Sequence, residues 1–205
     1  MSYETELKLS LPVDQVSLLK TLPFWEKFAK KAPETFHLGN TYFDTPEMSL
    51  NRARVALRIR EKNGQFFQTL KTKGESVDGL TRRGEWEWPI AEATLDLAGL
   101  SKVWPETIEQ DAMEQLTEFF ATDFDRTCWQ LEWPEPYAKV EAALDFGFVK
   151  AGSAQSQICE LELELLEGSE AALQAIADEL LKEVDLTPSD KSKAERGFEL
   201  LLSVF

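Results

Sequence analysis

Tyr3-Glu4-Thr5-Glu6-Leu7-Lys8-Leu9, YETELKL, alternates charged and uncharged side chains along seven residues. In a β-strand successive side chains point to opposite faces, so Glu4, Glu6 and Lys8 share one face and Thr5, Leu7, Leu9 and Leu11 the other. Charged strand faces ordinarily meet water. On this stretch alone a solvated edge is the default, and the rest of the chain decides whether the charges have another use.

The same alternation recurs. In RVALRIR at 54–60, Arg54, Ala56, Arg58 and Arg60 stand opposite Val55, Leu57 and Ile59. Asn63-Gly64 follows as a turn signal, and QFFQTLKTK at 65–73 returns with Thr69, Lys71 and Lys73 opposite Leu70, so the pair reads as a hairpin. RRGEWEW at 82–88 sets Arg83, Glu85 and Glu87 against Trp86 and Trp88, which read as packing residues. VEAALDFGF at 140–148 sets Glu141 and Asp145 against Val140, Leu144, Phe146 and Phe148, and ICELELELL at 158–166 alternates Glu160, Glu162 and Glu164 with leucines. Helical spacing is expected over roughly 13–31, 106–120, 170–184 and 190–203, the last behind a Thr187-Pro188-Ser189 break. Asp44-Thr45-Pro46 reads as a turn. There is no repeat, low-complexity tract or long linker, so the expectation is a single domain over 1–205.

The balance of 37 acidic against 22 basic side chains, net −15, argues against a nucleic-acid or anionic-membrane binder. No run approaches 18 apolar residues and no basic segment precedes an apolar one, so neither a membrane span nor a secretory signal is expected and the cytoplasm is the expected compartment. Cys128 and Cys159 have no CxxC partner and read as free thiols; His37 is the single histidine and reads as structural.

Within the strands the charges are sorted by sign. Glu4 and Glu6 open the chain and three glutamates alternate late, whereas the middle hairpin supplies Arg58, Arg60, Lys71 and Lys73. If the sheet curls into a barrel with these faces inward, a carboxylate wall faces a cationic one. All-oxygen ligands without His or Cys suit a hard cation such as Mg²⁺ or Mn²⁺, and arginine forks suit phosphate. Polyphosphates, free or as nucleotides, meet both demands. An amphipathic sheet packing its apolar face on helices would show the same periodicity, which does not say which face is inside.

Glu4-Thr5-Glu6-Leu7-Lys8 matches an ExExK signature, and with it come TYFDTP at 41–46, ALRIR at 56–60, QTLKTKG at 68–74, GLTRRGEWE at 79–87, FDR at 124–126, EAALDFG at 141–147, CELELELLEG at 159–168 and SKAERG at 192–197. In these segments the chain resembles the CYTH superfamily, also called triphosphate tunnel metalloenzymes, which includes inorganic triphosphatases, thiamine triphosphatases and a class of adenylyl cyclases. It looks most like the bacterial inorganic triphosphatases. The resemblance implies an α+β fold, an eight-stranded antiparallel β-barrel closed into a tunnel with flanking helices. It further implies that Glu4 and Glu6 bind Mg²⁺ or Mn²⁺ together with either Glu160 and Glu162 or Glu162 and Glu164. Lys8, Arg58, Arg60, Lys71, Arg126 and Lys193 would hold phosphates, and Asp145 would be a further acidic tunnel residue. Arg83, Glu85 and Glu87 either line the tunnel or form a structural ion-pair ladder, and Arg54, Lys73 and Arg82 have no role beyond charge. The implied activity is metal-dependent hydrolysis of inorganic triphosphate to pyrophosphate and phosphate, with adenylyl cyclase and non-catalytic polyphosphate binding as alternatives. The expected partner is this small polyanion, not nucleic acid or membrane.

Overall fold

The computed structural model describes residues 2–203. Its long strands are β1 (Ser2–Ser10), β2 (Glu34–Asp44), β3 (Ala56–Lys62), β4 (Gln65–Lys71), β6 (Leu80–Ile90), β7 (Thr117–Pro134), β8 (Tyr137–Ala151) and β9 (Ala154–Gly168), with short β5 (Glu75–Val77) and β10 (Thr187–Pro188) beside them. All pairings are antiparallel and run β1-β9-β8-β7-β2-β3-β4-β6; β6 then pairs back onto β1 and closes an eight-stranded barrel. Closure is possible because β1 splays: Ser2–Leu7 pair with β6, and Glu6–Ser10 pair with β9.

Turn chemistry fixes the register. Lys62 pairs with Gln65 across Asn63-Gly64, and Val77 with Leu80 across Asp78-Gly79. Both residues of each turn have positive φ (52° and 74°; 52° and 85°), the left-handed pair that suits the strand twist.

The apolar faces point outward and are roofed. Over β1, β9, β8 and β7 lie α1 (Val16–Lys20), α2 (Pro23–Phe28) and α5 (Ala171–Leu180), burying Leu7, Leu9, Leu144, Leu161 and Leu163, with Trp25 stacked on Trp129 at 4.1 Å between centroids. The outer face of β2, β3, β4 and β6 is covered by the 95–116 segment, which includes α4 (Leu97–Leu100), and by α3 (Ser49–Arg52); Leu57, Ile59, Leu70, Leu100 and Met113 form this second core. A third cluster, Leu38, Tyr42, Phe120, Phe124, Val149 and Ile158 with Phe198 of α6 (Lys193–Leu202), fills the lumen at one end. The solvated-edge default for Glu4, Glu6 and Lys8 is therefore overturned: with helices on the outside, the charged faces are inside.

Two expected helices are corrected. The 13–31 segment breaks into a 3-10 turn at Val13–Gln15, α1 and α2, because Pro23 has no N–H to continue α1 and instead starts α2. Of 106–120, Gln110–Gln115 forms 3-10 turns and Thr117 opens β7, where pairing with β2 overrides the helical spacing of Ile108, Ala112, Met113 and Leu116. Arg54 and Lys73 fall outside β3 and β4, so neither shares the inward face expected from alternation.

Candidate active site

Register sets the charges in rungs across the lumen wall. Glu6, Glu164 and Glu141 lie abreast on β1, β9 and β8, three carboxylates with no cation between them. Two residues along, Lys8 faces Glu162, and two further on Glu160, Asp145 and Arg126 stand side by side on β9, β8 and β7. The opposite wall places Asn40 beside Arg60, Tyr42 beside Arg58, and Lys71 between Ala56 and Glu85.

These side chains surround a cavity of about 350 Å³. Seven cationic residues (Lys8, Arg58, Arg60, Lys71, Arg83, Arg126, Lys193) and seven acidic ones (Glu4, Glu6, Glu85, Glu87, Glu141, Glu162, Glu164) line it, so its formal charge cancels. Of the residues expected from sequence, only Asp145 and Glu160 are absent from the lining. They lie beneath it, 0% and 2% exposed.

The charge is uneven within the balance. Lys71 Nζ reaches Glu4 at 2.8 Å and Glu85 at 3.1 Å, and Arg83 reaches Glu4 and Glu6 at 3.0 Å. Burial pushes the Glu4 carboxyl up, but Lys71 and Arg83 outweigh it and hold the group far below its usual range. Glu164 forms no ion pair among the described residues, and for Glu6 the Arg83 guanidinium is outweighed. Burial, then the Glu162 carboxylate, pushes Glu6 up, and burial followed by Glu4 pushes Glu164 up to about 7. At the facing wall burial, Arg58 and Arg126 press Arg60 down to about 10. Among the described residues Arg58 has only a long hydrogen bond to Tyr42 Oη (3.5 Å) and a 4.0 Å approach to Glu85, and its buried Nε makes no hydrogen bond there. One end of the cavity is therefore short of positive charge and the other short of negative charge.

Beneath the lining, Asp145 and Glu160 join Glu162 of the cavity wall in presenting oxygens within 4.8 Å of one another, a grouping able to hold a metal ion. The Lys193 ammonium sits among them, 2.6 Å from Asp145, 2.9 Å from Glu162 and in contact with Glu160. Arg126 bridges Asp145 (2.6 Å) and Glu162 (2.6 Å), and Arg196 closes on Glu160. Lys193 and Arg126 are held above their ordinary pKa: burial opposes this, and Asp145 with its neighbouring carboxylates outweighs burial. The first turn of α6 delivers Lys193, fixed by a capping box in which Ser192 Oγ accepts from Glu195 N–H and Glu195 accepts from Ser192 N–H.

Arg83, Glu85 and Glu87 combine the two alternatives open from sequence, since they line the cavity and also pair with Glu4, Lys71 and Arg60 (3.9 Å to Glu87). Arg82 points away and pairs with Glu170. Sequence reasoning did not single out Glu141, Tyr42, Asn40, which accepts from Arg60 Nε at 3.0 Å, or Arg196. Glu141 was signalled by its alternation with Asp145; the others need the register.

A curated inorganic triphosphatase of Haemophilus influenzae is 37% identical over 202 residues, 98% of this chain and 55% of that protein, so the chain spans about half the length of the curated relative it matches. Among solved structures, a Hippeastrum protein, a candidate adenylyl cyclase described as having a dominant triphosphatase activity, superposes with TM-score 0.66 at 22% identity, covering 98% of this chain and 96% of that one. A candidate adenylate cyclase from Bacillus halodurans gives 0.57 at 20%, covering 97% and 100%. At these identities the two solved structures speak to the fold. The CYTH domain profile matches residues 2–198, the whole barrel and most of α6, and the chain belongs to the CYTH domain family.

Proposed function

We propose that this chain hydrolyses inorganic triphosphate to pyrophosphate and phosphate in its barrel cavity, with a divalent metal, Mg²⁺ or Mn²⁺, held by Glu4, Glu6, Glu162 and Glu164. One observation carries this: the cavity is charge-balanced overall yet split, with three carboxylates abreast at Glu6, Glu164 and Glu141 and under-paired arginines opposite. A multiply charged anion alone would leave Glu164 and Glu141, which form no ion pair among the described residues, uncompensated, with only Glu6 supplied by Arg83. A metal and a polyphosphate entering together satisfy both ends. The donor set fits a hard cation, since it consists of carboxylates with no histidine or thiol. Between the pairs left open by sequence, Glu162 with Glu164 is favoured, because both line the cavity whereas Glu160 lies beneath it, 2% exposed.

Arg58, Arg60 and Arg126 would grip phosphoryl oxygens with planar forks, and Lys8 and Lys71 would hold the chain as point charges. When bound, the metal neutralises charge on the phosphoryl oxygens and acidifies water. The oxygen of one water bonds to a terminal phosphorus as its bridging P–O bond breaks. The bond's electron pair leaves on pyrophosphate, and the water's proton goes to a carboxylate of the cavity wall. The protein's own contribution is positioning and charge, as phosphoryl transfer requires.

The apolar lining is limited to Tyr42, Ala56, Ala143 and Ala194, and Tyr42 is already stacked on Phe120 at 4.7 Å. That leaves no slot for a purine and supports a small inorganic substrate over a nucleotide. No helix of the described residues is long and apolar enough to cross a membrane, and with the free thiols Cys128 and Cys159 this supports action in the cytoplasm. The test is phosphate release from triphosphate, ATP, thiamine triphosphate and pyrophosphate, each with and without Mg²⁺ or Mn²⁺. Triphosphate should be preferred and metal required. Cyclic AMP as the main product from ATP would instead identify a cyclase, and tight binding with no turnover a polyphosphate-binding module.

A further inference from the structure

The arginines of the cavity wall, Arg58, Arg60, Arg83 and Arg126, differ in what meets Nε, the nitrogen that ties the guanidinium plane to the protein. Arg83 Nε donates to Glu4 at 3.0 Å and Arg126 Nε to Asp145 at 2.6 Å, both carboxylates. Arg58 Nε has no partner among the described residues. Arg60 Nε donates at 3.0 Å to Oδ1 of Asn40, a neutral amide.

Asn40 is fixed from both sides. It stands on β2 directly opposite Arg60 of β3 and, across the other ladder, Thr122 of β7. Its Nδ2 donates to Thr122 Oγ1 at 3.0 Å, and Asn40 and Thr122 are 2% and 1% exposed. Because Arg60 Nε can only donate, Oδ1 must face it, which sets the orientation of the amide. Asn40 is not part of the cavity lining, whereas Arg60 is. Among the described residues the Nη atoms of Arg60 make no hydrogen bond; Glu87 comes no nearer than 3.9 Å and is itself held by Thr69 Oγ1 at 2.9 Å. Arg126 has the same register and the opposite partner: Asp145 of β8 lies directly across from it and takes its Nε as Asn40 takes that of Arg60. Aspartate and asparagine share a shape, so the two pairs differ in charge alone. Burial, Arg58 and Arg126 press Arg60 down to about 10, whereas at Arg126 burial is outweighed by Asp145 and Glu162 and the group is held above its ordinary range.

We propose that Asn40 is the positioning residue of Arg60: its amide fixes the guanidinium without neutralising it, so that Arg60 presents its Nη–H donors and an unmatched charge to a phosphoryl group in the cavity. Arg126, by contrast, is already matched by Asp145 and Glu162. This makes Arg60 the stronger phosphate clamp of the two. It also requires an amide at position 40, since an apolar residue would lose the orientation and a carboxylate would cancel the charge. The phosphoryl ligand rests on the triphosphatase proposal; the hold of Asn40 on Arg60 does not.

The probe is imidotriphosphate, the analogue with N–H in place of the bridging oxygens, titrated calorimetrically with Mg²⁺ into wild type, Asn40→Asp and Asn40→Leu, beside thermal melts of each unliganded protein. Asn40→Asp keeps the bond to Arg60 Nε in charge-assisted form, and the Thr122 hydroxyl can rotate to donate to the new oxygen. Its melting temperature should equal or exceed that of wild type. It should nevertheless bind the analogue about ten- to a hundredfold more weakly, the loss expected for one charge-assisted hydrogen bond. Asn40→Leu strands Arg60 Nε and the Thr122 hydroxyl, and should lower stability and affinity together. In triphosphate turnover the Asn40→Asp loss should fall on KM with kcat within about threefold, since a neutralised clamp weakens ground and transition states alike. Binding by Asn40→Asp within about twofold of wild type would overturn the proposal. So would an affinity and a melting temperature that fall together in Asn40→Asp, as a damaged scaffold requires. Absence of triphosphate turnover in the wild type, with this binding pattern intact, would sink the activity and leave the role of Asn40 standing.

Discussion

Lys193 is where a cation of the chain occupies a site built for any cation. Its ammonium is 7% exposed and shared by Asp145, Glu160 and Glu162, so it is structural in the empty barrel whatever it does with phosphate. Removing one member of a buried ionic cluster costs about 3–5 kcal/mol, tempered here because Arg126 and Arg196 remain. Lys193→Met should therefore lower the melting temperature clearly in EDTA. It also vacates three carboxylates whose oxygens lie within 4.8 Å, and a divalent cation can then take the vacated position. Mg²⁺ should raise the melting temperature of Lys193→Met more than that of wild type; an identical Mg²⁺ response in both would show that the carboxylates relax apart instead of holding their cluster. A complementary change, Glu162→Gln, keeps the shape of the side chain but removes a charge from the cavity, and should reduce metal-dependent phosphate release by orders of magnitude with the fold retained. Wild-type turnover at limiting metal would remove Glu162 from the proposed ligands.

At the scale of elements, α6 must lie close against the inner faces of β7, β8 and β9 to deliver Lys193, and Gly197, one turn later, permits the approach. A Cβ on Gly197 would fall 2.0 Å from the Phe120 ring, which is itself buried and stacked on Tyr42. Gly197→Ala should destabilise by about 1–3 kcal/mol through overpacking and lift Lys193 off its carboxylates, so thermal melts and triphosphate turnover should fall together. Ser192→Ala removes the helix cap without a clash and should cost only about 0.5–2 kcal/mol, with turnover less affected. A Gly197→Ala protein as stable and active as wild type would show that α6 need not seat so closely. How much of this was legible in sequence depends on each strand's two faces. β1, β3, β4, β6, β8 and β9 announce themselves because their inward positions are charged and their outward ones apolar. In β2 the inward Leu38 and Tyr42 meet the apolar plug of Phe198 while the outward Phe43 meets the outer core, so both faces are apolar and no alternation survives. The start of β7 is masked by helix-like spacing just before it. Alternation also ran one step too far: Arg54 and Lys73 match their strands in sequence, but a left-handed residue and a strand end leave them outside β3 and β4 and exposed. The cavity's charged residues could be listed from sequence; their rungs, and the burial of Asp145 and Glu160 under Lys193, depend on registers between strands far apart in the chain.

For the whole molecule, the barrel trades stability for a charged interior, and its cations should not behave alike. Lys193 is enclosed by carboxylates, whereas Arg58 is nearly as buried with only a long bond to Tyr42, a 4.0 Å approach to Glu85 and an orphaned Nε. Burying a guanidinium so poorly partnered is a standing cost, deepened by Arg60 beside it. A ligand that binds only the folded barrel adds RT ln(1 + [L]/Kd), about 2.7 kcal/mol at a hundredfold excess, which for a chain of this length is about 5–10 °C in melting temperature. Metal with a slowly hydrolysed triphosphate analogue should produce a shift of that order, and sulfate at equal ionic strength much less. Arg58→Ala should nearly abolish the shift while leaving the unliganded melting temperature equal to wild type or higher, the reverse of Lys193→Met, which damages the empty protein first. If Arg58→Ala instead destabilises the empty barrel as much as a core truncation and preserves the ligand shift, the arginine wall is scaffolding, and the phosphates must be held elsewhere in the cavity.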